Sequence, residues 1–107
     1  MAHEKTKLGL DENVEGALAY LLGIITGILF LLLEPKNKFV RFHALQSIFL
    51  FGGLFVLSII ASFIPVIPLN ALISLLSLIL WIFMMVKAYQ GEMYKLPVVG
   101  DLAEKYV

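Results

Sequence analysis

His43, Gln46 and Ser47 stand at i, i+3 and i+4 and so share one face of a helix, with Arg41 just before them. An imidazole, a carboxamide and a hydroxyl in a row can exchange hydrogen bonds or protons. Beside a long apolar stretch such groups are costly unless paired, so they are expected to face a helix bundle or a wet cavity. Two readings stay open. Arg41 snorkels to the headgroups while His43 bonds a neighbouring helix end, or the four side chains line a polar recess that touches a polypeptide or solute. Glu34 and Glu92 are expected on the same side, either able to pair with Arg41, and an Arg41–Glu92 pair would order the C-terminal tail.

Catalysis finds little material. No Asp or Glu lies within the long apolar stretches, there is no Cys, and His43 is the only histidine near them, so neither a Ser-His-Asp set nor paired carboxylates can be assembled. The chain reads as a non-enzyme without cofactor or metal. His3 could hold Cu(II) only together with the terminal amine, and removal of Met1 before Ala2 would spoil that spacing. The hydroxyls of Ser47, Ser58, Ser62, Ser74 and Ser77 read as interhelical hydrogen bonds. Tyr20, Trp81, Tyr89 and Tyr94 suggest either a ligand cage or interfacial anchors, with Tyr89 and Tyr94 at belt positions and Trp81 packed between helices.

The elements that position these groups follow from charge. Between Arg41 and Lys87 lie 45 residues without a Lys, Arg, Asp or Glu. As one helix they would measure about 68 Å, against roughly 30 Å of bilayer hydrocarbon, so they must fold back as two spans. Ala17–Leu33 gives about 26 Å more, enough for a third. The expected fold is an all-α membrane protein: three transmembrane helices in one bundle and a short interfacial C-terminal helix. The spans fall at about residues 14–33, 39–63 and 69–90, in one domain, 1–107, with a mobile tail over 1–12 and an interfacial tail over 91–107. Asn13 and Asn70 are candidate N-caps, and Pro65 and Pro68 flank the second turn. In the tail, Asp101 and Glu104 resemble a capping pair, while Val98, Leu102 and Tyr106 fall at helical spacing.

Hydrophobic residues make up 61% of the chain and charged ones 15%, at zero net charge, which points to lipid as solvent. The scattered Lys and Arg form no stripe fit for a phosphate backbone, so nucleic acid is not an expected partner. Gly16, Ala19, Gly23 and Gly27 make a small-residue stripe for close packing, either within one molecule or between copies of a homo-oligomer. Ser58 and Ser62 offer a small face that matches Ala71, Ser74 and Ser77. With three spans, two Lys fall on one side and six Lys or Arg on the other. The positive-inside rule then puts the N-terminus outside and the C-terminus in the cytoplasm of a plasma-membrane protein.

The segments Asn37–Ser47 and Ala88–Asp101 resemble a family of small prokaryotic three-span membrane proteins. That family is similar, more distantly, to the chloroplast inner-envelope protein-import subunit of about twenty kilodaltons, chiefly in the Arg41, Phe42, His43, Ala44, Gln46, Ser47 segment. The resemblance implies a non-enzymatic component that assists translocation or insertion, with client polypeptides or insertion machinery as partners. A homo-oligomeric channel subunit and a structural accessory subunit are the alternatives.

Overall fold

Asn37 begins the central helix. Its side-chain oxygen accepts from the Val40 amide at 2.9 Å, and its side-chain nitrogen donates to Glu12 at 2.9 Å. A computed structural model of the chain describes residues 5–6, 8–64 and 68–107. It contains α1 (Glu12–Leu21), α2 (Ile24–Leu33), α3 (Lys38–Ala61), α4 (Leu69–Tyr89) and α5 (Val99–Tyr106). The only bridge of strand type among the described residues is an isolated one between Lys5 and Asp11. Pro65, Lys7 and His3 lie outside the described residues.

Two helices, α3 and α4, are long and apolar enough to cross a membrane, not three. At 24 and 21 residues they measure about 36 and 32 Å. The segment expected as the first span breaks at Leu22–Gly23 into two ten-residue helices of about 15 Å each. Gly23 turns there with φ +63° and ψ −121°, a conformation that side chains on an L-residue disfavour.

The contacts on each side of the break show that the chain doubles back. Near the base, Glu12 at the start of α1 is bonded by Asn37, and Glu34 at the end of α2 accepts from the Leu8 amide at 3.2 Å. At the tip, Ser47 donates to the Gly23 carbonyl at 2.9 Å. Ser47 lies nine residues into α3, or about 14 Å along it. α1 and α2 are therefore a helical hairpin that enters and leaves at one end of the molecule. The first described residues and the C-terminal tail lie at that same end of the molecule, whereas three spans would have put them at opposite ends.

Side chains bond several backbone groups around the turn. The Leu22 amide donates to the Thr26 hydroxyl at 3.1 Å, and that hydroxyl donates to the Ala19 carbonyl at 3.0 Å. The Trp81 indole N–H donates to the Tyr20 carbonyl at 2.8 Å, which places Trp81 between helices as expected. A non-helical backbone is tolerated at membrane depth only where such partners are supplied.

α3 is the hub: α1, α2, α4 and α5 all pack on it, and α1 also wedges against α4. The small residues serve this packing inside one molecule. A Cβ on Gly16 would come within 2.7 Å of Phe39, and one on Gly27 within 2.9 Å of Ile48 and 3.0 Å of the Ala44 carbonyl. Ala19 is buried with Phe30, Phe39, Val40 and Ala44. Beyond the hairpin tip only α3 and α4 continue. There Ser58, Ser74 and Ser77 line a shallow cleft, while the Ser77 and Ser62 hydroxyls donate to carbonyls of their own helices. Of the five serines, Ser47 makes the interhelical bond, and Ser62 accepts one from Asn70 at 3.2 Å.

The caps also differ from expectation. Asp11 takes the N-cap position of α1, and Asn13, the second residue of the helix, donates to the Tyr89 carbonyl at 2.7 Å, so it closes the end of α4. Pro68 precedes α4, and Asn70 sits inside its first turn. α5 buries Gly100 and Ala103 and exposes Val98, Leu102 and Tyr106.

Gly23→Ala should lower stability by about 1–3 kcal/mol, because the strain is conformational and the new methyl meets Phe51 only at ordinary contact distance. Gly53→Ala, with nothing within 4 Å, should be neutral or stabilising by up to about 1 kcal/mol. Thermal unfolding of the two variants in the same detergent checks the contrast.

Candidate functional site

The helical face read from the sequence points inward, and α1 brings it a partner. Tyr20, one turn before the Gly23 break, is fully buried against α3, as are His43, Gln46 and Ser47. Phe39, Phe42 and Tyr20 box the His43 ring, with centroids 4.7, 5.3 and 5.4 Å away.

The hydrogen bonds assign every proton. His43 Nε2 lies 2.8 Å from the Glu92 carbonyl, which can only accept, so Nε2 carries the hydrogen. In that neutral tautomer Nδ1 accepts, and the Tyr20 hydroxyl, 2.8 Å away, donates to it. The Tyr20 oxygen accepts in turn from Gln46 Nε2 at 3.0 Å. Gln46 gives its second N–H to the Tyr94 carbonyl at 2.9 Å and accepts from the Leu96 amide at 2.8 Å. Three main-chain groups of the segment after α4 are thus held by two side chains of α3. The segment's only buried side chain here, Leu96, joins Tyr20, Leu50, Met84 and Ala88 in the core.

In this structure His43, Gln46 and Ser47 are bonded within the fold and do not line an open recess. A ligand reaching these buried side chains would first have to displace the tail. Arg41 reaches the other end of that tail, donating to the Tyr106 carbonyl at 3.2 Å and, more weakly, to Val107 at 3.4 Å. A cation there also favours the negative end of α5. Glu92 does not pair with Arg41; its exposed carboxylate lies 3.5 Å from Lys87, and only its carbonyl joins the network. Ser58 and Ser62 lie beyond the hairpin tip, away from this cluster.

Sequence reasoning named Tyr20 only as a cage or anchor residue, not as the partner of His43 and Gln46, and it missed the buried Glu15. Glu15 is fully buried at the base of the hairpin, where the Thr6 hydroxyl donates to its Oε2. Burial pushes this carboxyl up to about 7 from its usual 4.5, and the neighbouring Glu34 carboxylate adds to the rise against the effect of Thr6. The sequence signal for Glu15 was its place near the start of a helix, which reads equally well as a solvated dipole partner. Among the described residues no three His, Asp or Glu side chains gather to hold a metal ion.

Gln46→Leu leaves the Tyr94 carbonyl and Leu96 amide without partners and should cost at least about 2 kcal/mol, with Leu96 amide exchange roughly thirtyfold faster. Glu92→Gln keeps the carbonyl that His43 binds and should leave exchange across residues 92–98 unchanged. For Glu15 the sign is set by linkage. The folded chain holds this proton more tightly than the unfolded one, so its share of stability is full below about 4.5 and falls as the pH rises toward about 7. Melting temperature in detergent should drop across that window, and Glu15→Gln should flatten the drop and melt higher at pH 8.

Comparison with known proteins follows the same geometry. A family model described as the magnetosome magnetite crystal formation protein family matches residues 11–103, which include the hairpin, both long helices and most of α5. Two UPF0132 membrane proteins of Methanocaldococcus jannaschii are similar to this chain. One is 65% identical over 103 residues, covering 95% of this chain and 94% of the relative; the other is 54% identical over 101 residues, covering 92% and 72%. A UPF0132 membrane protein of Archaeoglobus fulgidus is 53% identical over 100 residues, covering 92% and 97%. No solved structure matches. Neither the family's description nor the relatives' names speaks of protein import, and the comparisons do not show the expected likeness to the chloroplast subunit. With most of its length matched by the family model and by relatives above half identity, this chain belongs to the UPF0132 membrane proteins and to the magnetosome magnetite crystal formation protein family.

Proposed function

We propose that this protein is a non-enzymatic membrane subunit that works by contact with other membrane polypeptides, and that it assists their insertion or translocation. The observation that carries this reading is the cleft over the hairpin tip. α1 and α2 stop about halfway along α3, and above them Leu22, Gly23, Ile24, Ile25, Phe51, Phe55 and Trp81 line an open apolar hollow. Ile25 and Phe55 are 69% and 64% exposed there. An open hollow lined by apolar side chains suits an apolar segment of another chain. The client-facing surface is thus moved from Arg41, His43 and Gln46, which hold the tail, to the opposite end of the wedge.

A photocrosslinking residue placed at Phe55, and separately at Ile25, tests this in growing cells. Adducts with other membrane or exported polypeptides are expected. Adducts with copies of this chain alone would support the homo-oligomeric alternative, and capture of lipid alone would overturn the contact reading.

A further inference from the structure

All sixteen ionisable Lys, Arg, Asp and Glu side chains fall outside residues 42–86. The doubled-back hairpin turns that fact of sequence into a fact of sides. If residues 14–33 crossed the bilayer, the polar N-terminal segment would stand across from Lys36, Lys38 and Arg41. Instead Lys5 pairs with Asp11 at 2.9 Å beside the base of α1, and Glu12 is bonded by Asn37 at the start of α3. Lys87 closes α4 at the same end, next to Tyr89, whose carbonyl Asn13 caps. Lys95 joins Asp101 and Glu104 at 3.6 and 3.3 Å on the tail that Gln46 holds. The opposite end carries Ser62, Phe63, Ile64, Pro68, Leu69 and Asn70, with Phe63 81% exposed and no charge.

We infer that this chain enters the bilayer from one face only, as two helical hairpins, with both tails cytoplasmic and no ionisable group carried across. The positive-inside rule fixes the face, since the turn between α3 and α4 holds no Lys or Arg and every described one lies at the other end. The transferred turn holds only uncharged side chains, and an uncharged segment feels no force from the membrane potential. Insertion therefore proceeds without that potential. The first hairpin stays in one leaflet because its turn is bonded to Ser47 and Trp81, and its two legs of about 15 Å match half of the hydrocarbon core.

The chain has no Cys, so single substitutions report sides cleanly. Lys5→Cys, Lys36→Cys, Lys105→Cys and Phe63→Cys are each treated with a membrane-impermeant maleimide in spheroplasts, before and after permeabilisation. The three lysine positions should label at least about tenfold more after permeabilisation, and Phe63→Cys should label equally in both. In a parallel assay, insertion into inverted vesicles should keep its rate within about twofold when a protonophore collapses the potential. Phe63→Asp, which forces one charge across, should slow at least about fivefold under the same treatment. Labelling of Lys5→Cys from outside with Lys36→Cys protected would mean that the hairpin opens into a span, and would overturn the inference. So would outside labelling of all three lysine positions, or potential-dependent entry of the unsubstituted chain.

Discussion

The fold depends on how a broken helix keeps its backbone bonded in an apolar setting. A polar group stranded in hydrocarbon costs several kcal/mol, so a chain can reverse at Leu22–Gly23 only if the freed amides and carbonyls find donors and acceptors nearby. Thr26 serves from within the hairpin, Ser47 from α3 and Trp81 from α4. Each of the three elements around the turn therefore contributes one side chain to it. This ties the register of the hairpin to both long helices at once. Tyr20, immediately before the break, is set against His43 and Gln46 by the same geometry, and those two in turn hold residues 92–96. The turn, the buried network and the seating of the tail form one sequence of dependencies.

How much of this was legible in the residues depends on which signals are local. The two long helices were readable because absence of charge over 45 residues leaves no other economical arrangement, and their observed ends lie within two residues of those expected. The hairpin was not, because Ala17–Leu33 has the length and apolarity of a span, and hydropathy carries no sign for a reversal. Only Gly23 with Thr26 three residues on hinted at it, and their meaning rests on Ser47 and Trp81, which are distant in sequence. Charge counting by side inherited the error. The inward face of His43, Gln46 and Ser47 was readable from spacing. That it binds main-chain groups of residues 92–96 was not, because a carbonyl or amide partner has no sequence signature. Glu92 illustrates the point: the carboxylate drew attention, whereas the carbonyl makes the bond.

The small residues show the same dependence on context. Gly16, Ala19, Gly23 and Gly27 look like one stripe on a continuous helix, but the break assigns them to two helices and a turn. Gly16 admits Phe39 and Ala88, Gly27 admits α3 at Ala44 and Ile48, and Gly23 supplies a backbone angle. Three different physical demands produce what reads as a single motif. In lipid, where apolar burial does not drive helices together, close approach of this kind and the buried hydrogen bonds are what remain to hold the charged end.

The two ends consequently differ in what holds them. At the charged end α1, α2, α4 and α5 surround α3, and the buried residues of all three core clusters lie there. At the uncharged end α3 meets α4 alone, the turn is pinned by the Asn70–Ser62 bond, and Leu72, Leu75, Leu76 and Ile79 face outward. A body 49 Å long and 21 Å across that is wedged open on one side leaves most of α4 to be covered by whatever shares its membrane. Lipid satisfies that need without selectivity. A protein segment that fills the hollow over the hairpin would add dispersion contacts with Phe51, Phe55 and Trp81 that disordered acyl chains make only transiently. The same asymmetry leaves the apolar hollow and the bare flank of α4 on the side of the hairpin tip away from the charged end.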